Sequence, residues 1–109
     1  MKVWIFESNL MWSSRFVNTV RGSGHEAEVT TTFPEGTADV AIINLGDPNV
    51  SDTAKKLTDR GIYTIAHAGH KEKELIELGK QIKVDRIATN SEITNKLPQM
   101  LDDALAQKS

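Results

Sequence analysis

Short apolar runs alternate along this chain with amphipathic stretches, and this alternation constrains the fold more than any other feature. Two of the runs, at 3–6 and 38–45, are apolar at nearly consecutive positions, as strands buried on both faces are. The stretches between the runs have helix length and carry apolar residues at three- and four-residue spacing. Strands that alternate with helices predict a mostly parallel sheet between helical layers, which is an α/β fold.

The other three strands give weaker signals. In the second strand, Ala27, Val29 and Thr31 alternate with polar residues, which is the period-two pattern of a half-exposed edge strand. The fourth and fifth strands are predicted at 62–66 and at Ile87 and Ala88.

Helix boundaries are predicted from caps and apolar spacing. The first helix is expected to have Ser8 as its N-cap and to place Leu10 in its inward stripe. A short helix is expected to begin at Ser51, and a third follows the fourth strand. The last helix is expected to run from near Asn95, with Pro98 in its first turn and Leu105 facing inward.

The connection between the second and third strands is too short for a helix. Only about five residues, at 33–37, join the two strands, whereas a parallel crossover usually takes about a dozen or more. Two arrangements remain open: a shortened parallel crossover, or a turn at 34–37 that joins an antiparallel pair. We favour the shortened crossover.

Composition excludes several classes of function. A chain of 109 residues with 13 basic and 15 acidic side chains has the length of one domain and carries no strong field for nucleic acid or membrane lipid. It contains no cysteine, which excludes disulfides, thiolate zinc sites and cysteine nucleophiles. The first apolar run is too short for a signal peptide and reaches Glu7 directly, so we expect a cytoplasmic protein.

This order of five strands and four or five helices resembles the receiver domain of bacterial response regulators. In the segment after the third strand, Pro48 follows Asn44 at the spacing that separates the phosphorylated aspartate of receivers from a proline. The resemblance implies a flavodoxin-like, or CheY-like, doubly wound sheet of five strands, mostly parallel, with the second helix missing or very short. It also implies a single receiver-like domain over residues 1–109.

The positions that are diagnostic of receivers carry different residues in this chain. Asn44 stands at the phosphoacceptor position, and Glu7 and Ser8 stand where receivers have the acidic pair that holds magnesium. The typical hydroxyl, lysine and aromatic residues are represented by His67, by Thr89 or Asn90, and by Arg86. Because an amide oxygen is a poor nucleophile, the resemblance implies a degenerate pseudo-receiver that is not phosphorylated on aspartate. We therefore expect no catalytic residue, no bound metal and no cofactor.

Polar residues follow the predicted strands at the edge where open parallel sheets bind their ligands. The candidate ligand-binding residues are Glu7, Ser8, Asn44, Asp47, His67, His70, Asn90 and Ser91. A small anionic metabolite or a nucleotide is the expected ligand, since free N–H groups at helix starts bind anions. The same residues also have a structural interpretation, because serines cap helices, Asp47 starts a turn with Pro48, and histidines pack at helix entries.

Three residues, Met11, Trp12 and Ile76, are candidates for a protein interface. Ile76 falls outside the inward stripe of its helix, and one of Met11 and Trp12 is expected to face outward, although Trp12 also has the spacing to pack on Phe16 in the core. The favoured hypothesis is a non-catalytic signalling or regulatory module that binds another signalling protein or itself, as a homodimer. The alternative is a protein that binds a small ligand or nucleotide, or a minor enzyme, which uses the polar strand ends.

Overall fold

The computed structural model describes residues 1–108, which form five strands and four helices. The strands are β1 (Lys2–Phe6), β2 (Glu26–Val29), β3 (Val40–Asn44), β4 (Tyr63–Ala68) and β5 (Arg86–Thr89). The helices are α1 (Leu10–Gly22), α2 (Val50–Asp59), α3 (Lys73–Gln81) and α4 (Asn90–Lys108).

All five strands pair in parallel in one sheet, in the order β2-β1-β3-β4-β5. This arrangement confirms the predicted α/β fold and the missing second helix. The strands β2 and β3 are not neighbours, because both pair with β1 from opposite sides. The favoured parallel crossover is therefore correct, and the antiparallel turn is wrong. Both β4 and β5 are longer than the sequence predicted.

The crossover between β2 and β3 covers the sheet with an aromatic side chain where receivers have a helix. The ring of Phe33 lies 5.5 Å from that of Trp4 and 5.9 Å from that of Phe6, centroid to centroid. On its other side, the guanidinium carbon of Arg60 lies 4.5 Å from the Phe33 ring centroid, within the range of a cation–π contact. One half-buried aromatic residue thus supplies apolar cover that a chain segment of this length cannot supply as a helix.

Two apolar layers enclose the sheet. The α1–α4 face packs one side of the strands against α1 and α4, and the α2–α3 face packs the other side against α2 and α3. Alternation along β1 shows the division: Val3 and Ile5 belong to the α1–α4 face, whereas Trp4 and Phe6 belong to the α2–α3 face.

The start of α1 differs from the prediction. Asn9, and not Ser8, is the N-cap, since its Oδ1 accepts hydrogen bonds from the N–H groups of Met11 at 2.9 Å and Trp12 at 3.3 Å. Leu10 is then the first helical residue, and 81% of it is exposed instead of facing the core. The helix α2 likewise begins at Val50, one residue before the predicted Ser51.

The last helix begins five residues before the predicted Asn95, because a capping box starts it. Thr89 Oγ1 accepts from the Glu92 N–H and Glu92 Oε1 accepts from the Thr89 N–H, both at 3.1 Å. Pro98 therefore lies in the helix interior and not in the first turn. Leu105, which was expected to face inward, is 47% exposed.

Candidate functional site

Three polar side chains lie together where β1, β3 and β4 end. Two residues before each of them, the same strands place isoleucines in the α1–α4 face, at positions 5, 42 and 65. Because successive side chains of a strand alternate between faces, Glu7, Asn44 and His67 point towards that same face. The sheet register pairs Asn44 with His67 and places Glu7 beside them.

Glu7 is at the centre of this group, and its side chain is only 1% exposed. His67 Nε2 lies 2.8 Å from Glu7 Oε1, and Asn44 Nδ2 donates to both carboxylate oxygens at 3.2 Å. The backbone N–H of Asn9 donates to Oε2 at 3.2 Å. Both oxygens of this buried carboxylate therefore have hydrogen-bond donors within the protein.

His67 is held from both ends of its ring. Its Nδ1 lies 2.8 Å from Asn90 Oδ1, at the first residue of α4, while Nε2 contacts Glu7. Phe16 packs edge-on to the imidazole at 5.2 Å, and Trp12 lies at 5.9 Å, centroid to centroid. Because both ring nitrogens face oxygen acceptors, the ring satisfies both contacts when each nitrogen carries a proton.

Asn44 completes the group, which we call the rim cluster: Glu7, Asn44, His67 and Asn90. The amide nitrogen of Asn44 donates to Glu7, and its Oδ1 accepts from the Gly46 N–H at 2.8 Å. Both ends of the amide are therefore engaged. A carboxylate at position 44 would have no N–H group to donate to Glu7.

The two carboxyl groups at this edge differ in their proton affinity. Burial alone raises the pKa of Glu7, but the hydrogen bonds from His67, Asn9 and Asn44 and the charge of His67 outweigh burial, and the pKa lies below its ordinary value. For Asp47, burial and the nearby charge of Glu7 raise the pKa above its ordinary value, against smaller opposite effects of Ser8 and His67. The surroundings thus favour the ionised form of Glu7 and disfavour the ionised form of Asp47.

A cavity of about 180 Å³ lies next to the rim cluster, on the side of α2. We call it the α2 cavity; its walls are Phe6, Glu7, Ser8, Thr30, Thr31, Ile43, Asn44, Asp47, Pro48, Asn49, Val50 and Thr53. Ser8 Oγ donates to Asp47 Oδ1 across this cavity at 3.5 Å, the limit of a hydrogen bond. The walls combine hydroxyl groups, two carboxylates and apolar side chains, and they include no basic side chain.

The structure thus divides the predicted site residues. Glu7, Asn44, His67 and Asn90 form the rim cluster, whereas Ser8 and Asp47 line the α2 cavity, which Glu7 and Asn44 also reach. His70 and Ser91 are exposed and make no hydrogen bond to either group within residues 1–108.

The predicted interface residues also differ from one another. Met11 is 62% exposed, next to the still more exposed Leu10. Trp12 is half-buried, stacked on Phe16 at 5.8 Å. Ile76 is half-buried and packs against the α2–α3 face, so it does not offer a free apolar surface.

Sequence reasoning missed the capping roles of three residues that position the site, although the sequence carried a signal for each. Asn9 caps α1 and donates its N–H to Glu7, and asparagine is as good an N-cap as serine. Thr89 and Glu92 have the spacing of a capping box, which fixes where α4 begins and so brings Asn90 to His67.

Within residues 1–108, no group of three or more histidine, aspartate or glutamate side chains is arranged to hold a metal ion. None of the four helices in this range is both long enough and apolar enough to cross a bilayer.

Solved receiver domains match nearly the whole chain. The receiver domain of the TMAO respiratory system response regulator TorR matches with a TM-score of 0.83 at 16% identity, over 97% of both chains. A response regulator receiver protein from Burkholderia phymatum matches with a TM-score of 0.82 at 13% identity, over 96% of this chain and 94% of that one. An orphan response regulator of H. pylori matches with a TM-score of 0.76 at 14% identity, over 96% of both chains.

No family model and no curated protein matches the sequence. The structural matches nonetheless confirm the predicted receiver-domain fold.

Proposed function

We propose that this chain is a receiver-like signalling module that works through contact with another protein or a second copy, without phosphorylation on aspartate. The receiver-domain fold supports a signalling role, since solved domains with this fold belong to response regulators. It acts as one domain in the cytoplasm, as the sequence led us to expect, and it is not an enzyme.

The hydrogen bonding of Asn44 carries this inference. An acyl phosphate forms on a carboxylate, and Asn44 offers only an amide oxygen at the corresponding position. That oxygen already accepts from the Gly46 N–H at 2.8 Å, and the amide nitrogen donates to Glu7. The side chain is therefore built into the site as a structural link between β3 and β1.

The state of Glu7 also opposes a magnesium-dependent reaction. Mg²⁺ prefers several charged oxygen ligands in octahedral geometry. The Glu7 carboxylate is buried and receives donors from His67, Asn44 and Asn9, so a metal ion would have to displace them. Asp47 is then the one carboxylate of the α2 cavity without such donors, and one ligand of this kind is a weak magnesium site.

The exposed start of α1 is the surface that best fits a protein contact. Leu10 and Met11 are 81% and 62% exposed, and they follow directly on the loop that carries Ser8. Two large apolar side chains that face water side by side favour burial against a partner. Met11 thus remains an interface residue in this proposal, whereas Ile76 does not.

Intact-mass spectrometry after incubation with acetyl phosphate and MgCl₂ tests the absence of phosphorylation. We expect an unchanged mass for the wild-type chain under conditions that phosphorylate a functional receiver domain in parallel. A base-labile gain of one phosphate would contradict the proposal. Loss of that gain in Asp47→Asn would then identify Asp47 as the acceptor.

A further inference from the structure

The α2 cavity has an unbalanced charge. Its walls include the carboxylates of Glu7 and Asp47 and no lysine, arginine or histidine. Glu7 is hydrogen-bonded within the protein, since His67 Nε2 lies 2.8 Å from its Oε1. Among the described residues, the side chain of Asp47 has only the Ser8 hydroxyl as a partner, at 3.5 Å, so it is the cavity carboxylate that can still accept hydrogen bonds from a ligand.

The remaining walls suit an organic group better than a bare ion. Phe6, Ile43 and Val50 contribute apolar side chains to the wall. Thr30, Thr53 and Ser8 contribute hydroxyl groups, and Asp47 contributes a carboxylate. The volume of about 180 Å³ is similar to the roughly 150 Å³ of an engineered cavity that accommodates benzene.

We propose that the α2 cavity binds an alkylammonium group, with the nitrogen at Asp47 and the hydrocarbon against Phe6, Ile43 and Val50. The two carboxylates disfavour the anionic ligand that the sequence led us to expect, since no basic side chain of the wall balances them. The ammonium belongs either to a free amine or to a lysine side chain of a partner, and the chemistry that recognises it is the same. This inference is independent of the absence of phosphorylation, which the mass measurement tests separately.

Two-dimensional ¹H–¹⁵N NMR of the full chain tests the inference, with n-butylammonium chloride as the probe at constant ionic strength. We expect saturable shifts of the amide signals of Ser8, Thr30, Asp47 and Thr53. The uncharged n-butanol and the anionic butyrate should bind at least about tenfold more weakly, since a hydrogen bond to a charged group contributes more than a neutral one. Nα-acetyl-lysine N-methylamide distinguishes the sources: binding of this compound indicates a lysine side chain, and binding of n-butylammonium alone indicates a free amine.

Three variants make the test specific to this cavity and to Asp47. Asp47→Asn should weaken n-butylammonium binding about tenfold or more, whereas Asp52→Asn should leave it unchanged. Asp52 is the matched control because it is exposed in the first turn of α2 and does not line the cavity. Thr53→Leu fills the cavity from α2 and should abolish binding, with the NMR spectrum showing whether each variant is folded.

Three results would overturn the inference. Equal affinity of wild type and Asp47→Asn would show that the carboxylate does not hold the ammonium. Tighter binding of butyrate than of n-butylammonium would show that the cavity selects anions. Saturable shifts with MgCl₂ at the same residues, and none with n-butylammonium, would make the cavity a metal site instead.

Discussion

The carboxyl edge of the sheet has a closed half, the rim cluster, and an open half, the α2 cavity. Both halves contain carboxylate and amide side chains. In the rim cluster, Glu7 and His67 direct all four of their polar side-chain atoms at partners within the protein. In the α2 cavity, Asp47 has one hydroxyl neighbour at 3.5 Å and faces open space. The comparison shows that partners and burial decide the role of each carboxylate, and that residue type does not.

The two halves also respond to charge in opposite ways. The pKa of Glu7 is lowered because its donors outweigh burial, whereas burial and the charge of Glu7 raise the pKa of Asp47. When one partner of a buried, hydrogen-bonded carboxylate is removed, the charge that remains buried strongly destabilises the fold. A carboxylate whose charge is penalised is stabilised by any cation that reaches it.

The largest expected effect comes from removing the imidazole of the closed half. His67→Phe keeps a ring of similar size beside Phe16 but leaves the Glu7 carboxylate buried without its partner. We expect the free energy of unfolding to fall by about 3 to 5 kcal/mol in urea denaturation at neutral pH. The matched control His70→Phe changes an exposed residue and should stay within about 0.5 kcal/mol of wild type.

The double variant Glu7→Leu/His67→Phe separates the loss of an interaction from the cost of an unpaired charge. It should recover most of the stability lost in His67→Phe, because an apolar pair in place of a buried ion pair is often neutral. A double variant as unstable as the single one would contradict this explanation.

A smaller effect is expected when Asn44 becomes a carboxylate. Asn44→Asp removes the donor that contacts both oxygens of Glu7 and places a second negative charge beside it. We expect a loss of about 1 to 3 kcal/mol in the free energy of unfolding. The same chemical change in Asn49→Asp should be neutral or slightly stabilising, since Asn49 is the exposed N-cap of α2. Equal losses of unfolding free energy in Asn44→Asp and Asn49→Asp would show that the hydrogen bonds of Asn44 to Glu7 do not stabilise the protein.

The smallest effect is a change in pH dependence. The folded-state pKa of Glu7 lies below its ordinary value of 4.5, so its stabilising contribution is complete above that value and is lost as the pH falls through the folded pKa. In His67→Phe, low pH protonates Glu7, which removes the buried charge that destabilises this variant. The stability difference between wild type and His67→Phe should therefore narrow below about pH 4.5, by at most about 1.4 kcal/mol per pH unit. If the stability difference between wild type and His67→Phe stays constant from neutral pH to about pH 3, the proposed pairing of Glu7 with His67 is contradicted.

The sequence contained enough information for the fold and for part of the site. Alternation along β1, β3 and β4 places Glu7, Asn44 and His67 on one face, because each comes two residues after a buried isoleucine. The receiver resemblance implies the doubly wound strand arrangement, whereas the short connection at 33–37 leaves a parallel and an antiparallel arrangement open. The face on which each of these side chains lies depends on local periodicity, which a sequence records directly.

The parts that could not be predicted depend on how elements meet in space. Asn90 contacts His67 because α4 begins at the Thr89–Glu92 capping box. The sequence prediction places Pro98 in the first turn and therefore starts this helix near Asn95, five residues too late. Similarly, strand periodicity gives the face of the sheet to which Glu7 points, but it does not show which side chains pair with Glu7 or with Asp47. Their different roles arise from His67, which is sixty positions from Glu7 along the chain.

Replacing each carboxylate by its amide tests the division of the edge most directly. Glu7→Gln and Asp47→Asn remove the same charge from the two halves, and urea denaturation at neutral pH gives the free energy of unfolding of each. We predict that Glu7→Gln loses about 1 to 3 kcal/mol, because the amide has one acceptor oxygen in place of the two that contact His67, Asn44 and Asn9. Asp47→Asn should change stability by less than about 1 kcal/mol, in the stabilising direction, since its raised pKa marks a penalised charge. Equal losses in the two variants, or a larger loss in Asp47→Asn, would contradict the division into a closed and an open half.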